Sequence, residues 1–187
     1  IKAKQMQKIT LLGLIFISTA SWLYGQEWAG REDWPDDFPR PEQTEKSLFF
    51  IQRNLNRHTI IYDLNLNEDG TLNRKEPIDN YWRQYESTGK RREMSWLEEW
   101  LAYGYRARKK SPDLYQVKLR AHKERFINLK KEGNQWKAVI DINGEESYLT
   151  NIYAYADESG ILPDVKHVDI YGINIRTGKR VKERIYD

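Results

Sequence analysis

The strongest constraint on this chain is a period of two. In LYQVKLRA (residues 114–121) Tyr115, Val117 and Leu119 fall on one side of an extended backbone, with Gln116, Lys118 and Arg120 on the other; in QWKAVIDI (135–142) Trp136, Ala138, Ile140 and Ile142 share a side. RFINLKKE (125–132), SYLTNIYAYA (147–156) and VKHVDIYGINI (165–175) continue the series. The connections are short, and Asn143-Gly144 suits a type I′ hairpin, which needs positive φ at two consecutive residues. Such alternation requires one covered face per strand, so the chain reads as mainly β. A single antiparallel meander barrel of about eight strands is expected, because closure removes free edges. A two-sheet β-sandwich is the alternative that periodicity does not separate.

The series opens with FFIQRNLNRHTIIYD (49–63), two apolar runs around a polar knot, which reads as a first hairpin with QRNLNRH as its connection. Arg53 shares a face with Phe49 and Ile51, and Tyr62 shares one with Ile60 and Leu64. Both faces of the pair are apolar enough to be covered. A buried Arg53 needs a carboxylate, and Asp63 is the expected partner across the hairpin, more as a structural brace than as a ligand clamp.

One helix interrupts the strands. Ser95-Trp96-Leu97-Glu98 fits a capping box, and Trp96, Leu97, Trp100 and Leu101 recur at helical spacing. This stripe is expected to pack over an open edge or barrel end. Gly104 is the expected left-handed stop, with Arg106, Arg108, Lys109 and Lys110 following the negative end.

The N-terminal stretch has the order of a secretory leader: Lys2, Lys4 and Lys8 precede an uncharged apolar run from Ile9 to Ala20, and cleavage after Gly25 is expected. The run is too short for a spanning helix, so the mature chain is expected to be exported, periplasmic or extracellular, without a transmembrane span. Residues 26–46 read as an acidic, proline-rich linker, with Trp28, Trp34 and Phe38 available to pin it to the domain; residues 47–187 form the single β domain. The leader holds three lysines and no acid, which leaves 28 basic and 28 acidic residues in the rest. A formally neutral mature chain lacks the bulk charge of a nucleic-acid binder, and from residue 47 onward the balance is 25 basic to 21 acidic, a modest and widely spread excess. The absence of cysteine excludes a disulfide framework and a lipoprotein anchor.

Motifs for chemistry are sparse. NLNEDGTLNRKE (65–76) approaches a calcium loop, but Asn65 stands where Asp is expected and Pro77 interrupts an exiting helix, so a turn is the better reading and no metal is expected. His58, His122 and His167 are dispersed, and no phosphate loop or nucleophile elbow occurs, so no cofactor is expected. A carboxylate pair such as Glu93 with Asp169 can be written down, but sequence supplies no distance for it. The basic pieces KRR (90–92) and RARKK (106–110) suit sulfate, phosphate or acidic glycans, although solvated charge is the commoner use.

The runs LFFIQRNLNRHTIIYDLNLNEDGTL, EPIDNYW and GKRREMSWLEEWLAYGYR resemble domain-of-unknown-function family 4833, an exported bacterial family. The likeness rests on Ile51, Arg53, Asn54 and Asn56, on Tyr62-Asp63, on Pro77 with Tyr81-Trp82, and on Ala102-Tyr103-Gly104. It implies one exported domain over about residues 47–186 and brings no established activity or cofactor. The expected function is binding: a small amphiphilic or anionic ligand, or an envelope partner, at a site lined by Arg53, Tyr62, Trp82, Tyr153 and Tyr155. A hydrolase acting on envelope glycan or lipid is one alternative, and a structural or assembly module without ligand is the other. An open, aromatic-lined cavity favours the first, two carboxylates facing each other in a cleft the second, and a filled core with no cavity the third.

Overall fold

The computed structural model describes residues 38–121, 125–157 and 164–186. The expected leader, the linker up to residue 37 and His122 lie outside the described residues. Among the described residues eleven strands follow in chain order: β1 (Ser47–Arg53), β2 (Asn56–Leu64), β3 (Ile78–Arg83), β4 (Arg91–Glu93), β5 (Tyr105–Ser111), β6 (Leu114–Leu119), β7 (Ile127–Glu132), β8 (Gln135–Ile142), β9 (Glu145–Asp157), β10 (Asp164–Asn174) and β11 (Arg180–Tyr186). They form one mainly antiparallel sheet ordered β4-β3-β2-β1-β9-β8-β7-β6-β5, with β10 on the other edge of β9 and β11 beyond it. The expected barrel is present as a half-barrel, a curled nine-strand path that leaves β4 and β5 as its ends.

One pairing departs from the meander. β1 runs parallel to β9, Phe50 opposite Asn151 and Arg53 opposite Ala154. The length of β9 permits this: its first residues pair with β8, up to Tyr148 opposite Val139, and β1 takes the same edge farther along. The side chain of Asn54 extends the junction, accepting from the Ala156 amide and donating to the Ala156 carbonyl, both at 2.8 Å. A bulge at Thr150 sets Leu149 and Ile152 in the same core despite their odd separation. Bulges add local twist, which helps the sheet to curl. Gly172 lies across from it, where an added Cβ would stand 2.6 Å from the Tyr148 carbonyl oxygen and 2.6 Å from Ile142 Cδ1.

Alternation produces two cores. The inner face carries Phe49, Ile60, Tyr62, Val117, Leu129, Leu149 and Ile170, with Phe49 and Tyr62 stacked at 4.4 Å. The outer face carries a smaller cluster of Phe50, Ile61, Tyr81 and Tyr171. Here the chain before β1 provides the cover: Phe38 meets Tyr153 edge-on at 5.9 Å, and Gln52 Nε2 donates to the Pro39 carbonyl at 2.8 Å. The first hairpin is therefore covered on both faces, and its connection is shorter than the polar knot, only residues 54 and 55. Asn143 (φ 54°) and Gly144 (φ 81°) make the expected I′ turn.

The helix departs from expectation in two respects. Its capping box is present: Ser95 Oγ accepts from the Glu98 amide at 3.3 Å, while Glu98 Oε2 accepts from the Ser95 amide at 2.8 Å. The element is a short turn, α1 (Trp96–Glu98), that runs on as a wider π turn over Glu99–Tyr103. Its stripe does not pack, since Trp96 is 76% and Trp100 60% exposed, and Leu97 and Leu101 are exposed as well. Tyr103 is the residue that turns inward. Gly104 has φ −73° and needs no left-handed freedom; it is required because an added Cβ would lie 2.3 Å from the Glu99 carbonyl oxygen. The basic run beyond it is the end strand β5 rather than a helix terminus.

Candidate functional site

The π turn, β3 and β5 line a cleft of about 390 Å³, with Trp96 and Trp100 on its rim and two cations, Lys75 and Arg120, two carboxylates, Glu76 and Glu99, and Asn80 among its lining residues. Below it lies a polar aromatic layer on the inner face of the sheet. Tyr103 organises this layer. Its backbone carbonyl accepts from Tyr62 Oη at 2.7 Å and from Asn80 Nδ2 at 3.3 Å, and its hydroxyl accepts from Arg53 Nη1 at 2.6 Å. The Arg53 guanidinium lies 5.2 Å from the Trp82 ring centre and 5.8 Å from that of Tyr103. Asn80 therefore belongs to both the layer and the cleft.

Charge is held at the edge of this layer. Glu98 Oε1 accepts from Trp82 Nε1 at 3.1 Å and from Arg92 Nη2 at 2.7 Å. The Arg92 guanidinium, helped by Ser95, lowers the Glu98 pKa to about 2, against the effect of burial. Burial has the opposite effect on the tyrosines: it raises Tyr62 well above the ordinary phenol range, raises Tyr103 against the pull of Arg53, and pushes Tyr105 up to about 12. These phenols are protonated at neutral pH. Tyr105 holds the cleft wall by donating to the Ile78 carbonyl at 2.6 Å.

Of the five residues expected at a site, Arg53, Tyr62 and Trp82 meet in this layer. Tyr153 and Tyr155 lie on the outer face, Tyr153 against Phe38 and Tyr155 stacked on His167 at 5.0 Å. The expected Arg53–Asp63 brace is not formed. The tight turn sets Arg53 opposite Asn56, while Asp63 pairs in register with Ser47 at the far end of the hairpin and accepts from Tyr81 Oη at 2.9 Å. Stacking on two rings takes the place of the carboxylate.

Other sequence features resolve into local pairs. Glu93 is bound to Arg91 at 2.6 Å and buried Asp169 to Arg184 at 2.7 Å, each in its own ion pair. In the loop over 65–76, Asp69 Oδ1 accepts from the Thr71 amide and hydroxyl, and Asn73 Oδ1 accepts from the amides of Lys75 and Glu76. These are turn contacts. Among the described residues no group of three His, Asp or Glu side chains converges as metal ligands, and no helix is long and apolar enough to cross a membrane. Of the residues at this candidate site, sequence reasoning missed Lys75, Glu76, Asn80, Glu99, Tyr103 and Arg120 and assigned Trp96 and Trp100 to packing; the one signal for Tyr103 was its place within the Ala-Tyr-Gly step after the helix.

No curated protein and no solved structure matches the chain. A family model, described as Domain of unknown function (DUF4833), matches residues 49–184, which span the hairpin, the cleft and the sheet up to β11. With that match covering most of its length, the chain belongs to the DUF4833 family.

Proposed function

We propose that this protein is an exported binding domain whose cleft takes a small anionic or amphiphilic ligand. The observation that carries this reading is the exposure of Trp96 and Trp100 at the rim of a cleft that also includes Lys75 and Arg120 together with Glu76 and Glu99. Large aromatic side chains left in water on a capped turn offer ready-made contact area, and the mixed charges beside them suit a ligand with one apolar part and one charged group, which Lys75 or Arg120 would meet if it is anionic. The layer of Arg53, Tyr62, Trp82 and Tyr103 acts as the rigid floor that sets the position of that turn.

Anilinonaphthalene sulfonate, an anionic amphiphile, is a suitable probe. Saturable binding to the folded protein, lost in Trp100→Ala and weakened in Lys75→Ala with the thermal midpoint unchanged, is the expected result. Equal binding by Trp100→Ala would sink the assignment of the cleft.

A further inference from the structure

Beyond the cleft, β5 and β6 carry a second feature on the outer face. In β6 the buried residues Tyr115, Val117 and Leu119 turn inward, so Gln116 and Lys118 turn outward. Their register partners on β5 are Arg108 and Arg106, while Tyr105 and Ala107 pack against the inner core. Arg106 and Arg108 are exposed and two residues apart, about 7 Å along the strand, and exposed Lys110 follows at a break in the register between Lys109 and Ser111. Among the described residues no carboxylate pairs with any of these three or with Lys118.

Basic residues on a sheet end guard against edge-to-edge pairing, and β5 is such an end. Edge protection does not account for Lys118, which lies on the second strand directly opposite Arg106. Like charges in that relation repel. The four cations are spread over two strands and do not converge on a point. Phe126, 45% exposed, stands among them with Lys118 Nζ 5.2 Å from its ring centre.

We propose that the outer face of β5 and β6 docks onto an anionic lipid bilayer surface. A spread of cations with one exposed ring fits a plane of many headgroup charges, and a plane relieves the Arg106–Lys118 repulsion without needing a groove. This docking does not depend on the cleft, to which β5 contributes the inward residues Tyr105 and Ala107.

The test is hydrogen exchange of the full chain with vesicles of phosphatidylcholine alone or mixed with phosphatidylglycerol. The expected result is protection of amides in residues 105–120 on the anionic vesicles only, falling as salt is raised. Lys118→Glu removes two units of charge in sign and should weaken anionic-vesicle binding about thirtyfold, while its thermal midpoint stays level or rises because Arg106 gains a partner. Arg106→Glu/Lys118→Glu should abolish the protection. Protection on both vesicle types, protection confined to other segments, or unchanged binding by Lys118→Glu would overturn the proposal. So would protection of 105–120 by a soluble acidic polysaccharide with none on vesicles, since it would assign the face to a different polyanion.

Discussion

Arg53 shows how one side chain links the sheet to the site. Its guanidinium stacks near Trp82 and Tyr103 and donates to the Tyr103 hydroxyl, so it fastens the helical turn to the first hairpin. Arg53→Ala is expected to lower stability by about 2 kcal/mol in urea titration, from one lost hydrogen bond and two lost ring contacts. Arg53→Lys should recover less than half of that, because an ammonium lacks the planar stacking surface. An Arg53→Ala protein with full stability and no probe binding would instead make Arg53 a ligand contact. The sequence pointed to Arg53 by its place on an apolar face, but not to its partners: Trp82 and Tyr103 lie far along the chain, whereas Asp63 was near and had the expected chemistry. Gly172 is another single-residue case. Gly172→Ala places a methyl group against a backbone carbonyl, and a loss of about 1–3 kcal/mol is expected by the same measurement.

The helical turn was recognisable by its capping box and misjudged in its packing. Ser95 and Glu98 announce a start at any level of burial, because the cap is local; where a stripe of tryptophans points depends on the neighbours, which periodicity does not contain. Ser95→Ala is expected to lower stability by about 1 kcal/mol. Acid acts on the same element through Glu98, whose folded pKa of about 2 lies below its ordinary value of 4.5. The stabilisation from its ion pair is thus fully present above pH 4.5 and is lost as pH falls toward 2. A urea midpoint that declines across this window in the wild type, with a shallower decline in Glu98→Gln, checks it. Because α1 carries the rim of the cleft, probe binding should fall in the same window.

For the molecule as a whole, the strand series and the I′ turn were readable from alternation and turn residues, because these are contacts between neighbours in sequence, whereas the choice of one curled sheet over a two-sheet sandwich was not. The parallel pairing of β1 with β9 was not, since nothing in a period of two says which distant strand completes an edge. The cleft shares that difficulty: β3, β5 and the π turn meet only through the curl of the sheet. Its two tryptophans stay in water while the inner face below is filled by Phe49, Tyr62 and their neighbours, so recognition is assigned to the rim and not to the interior. Native mass spectrometry of the protein isolated from its own host, compared with a Trp96→Ala/Trp100→Ala variant prepared identically, tests this most directly. A discrete adduct of small mass on the wild type, absent from the equally folded variant, is the predicted result; an adduct retained by the variant, or none on either protein in repeated preparations, would contradict it.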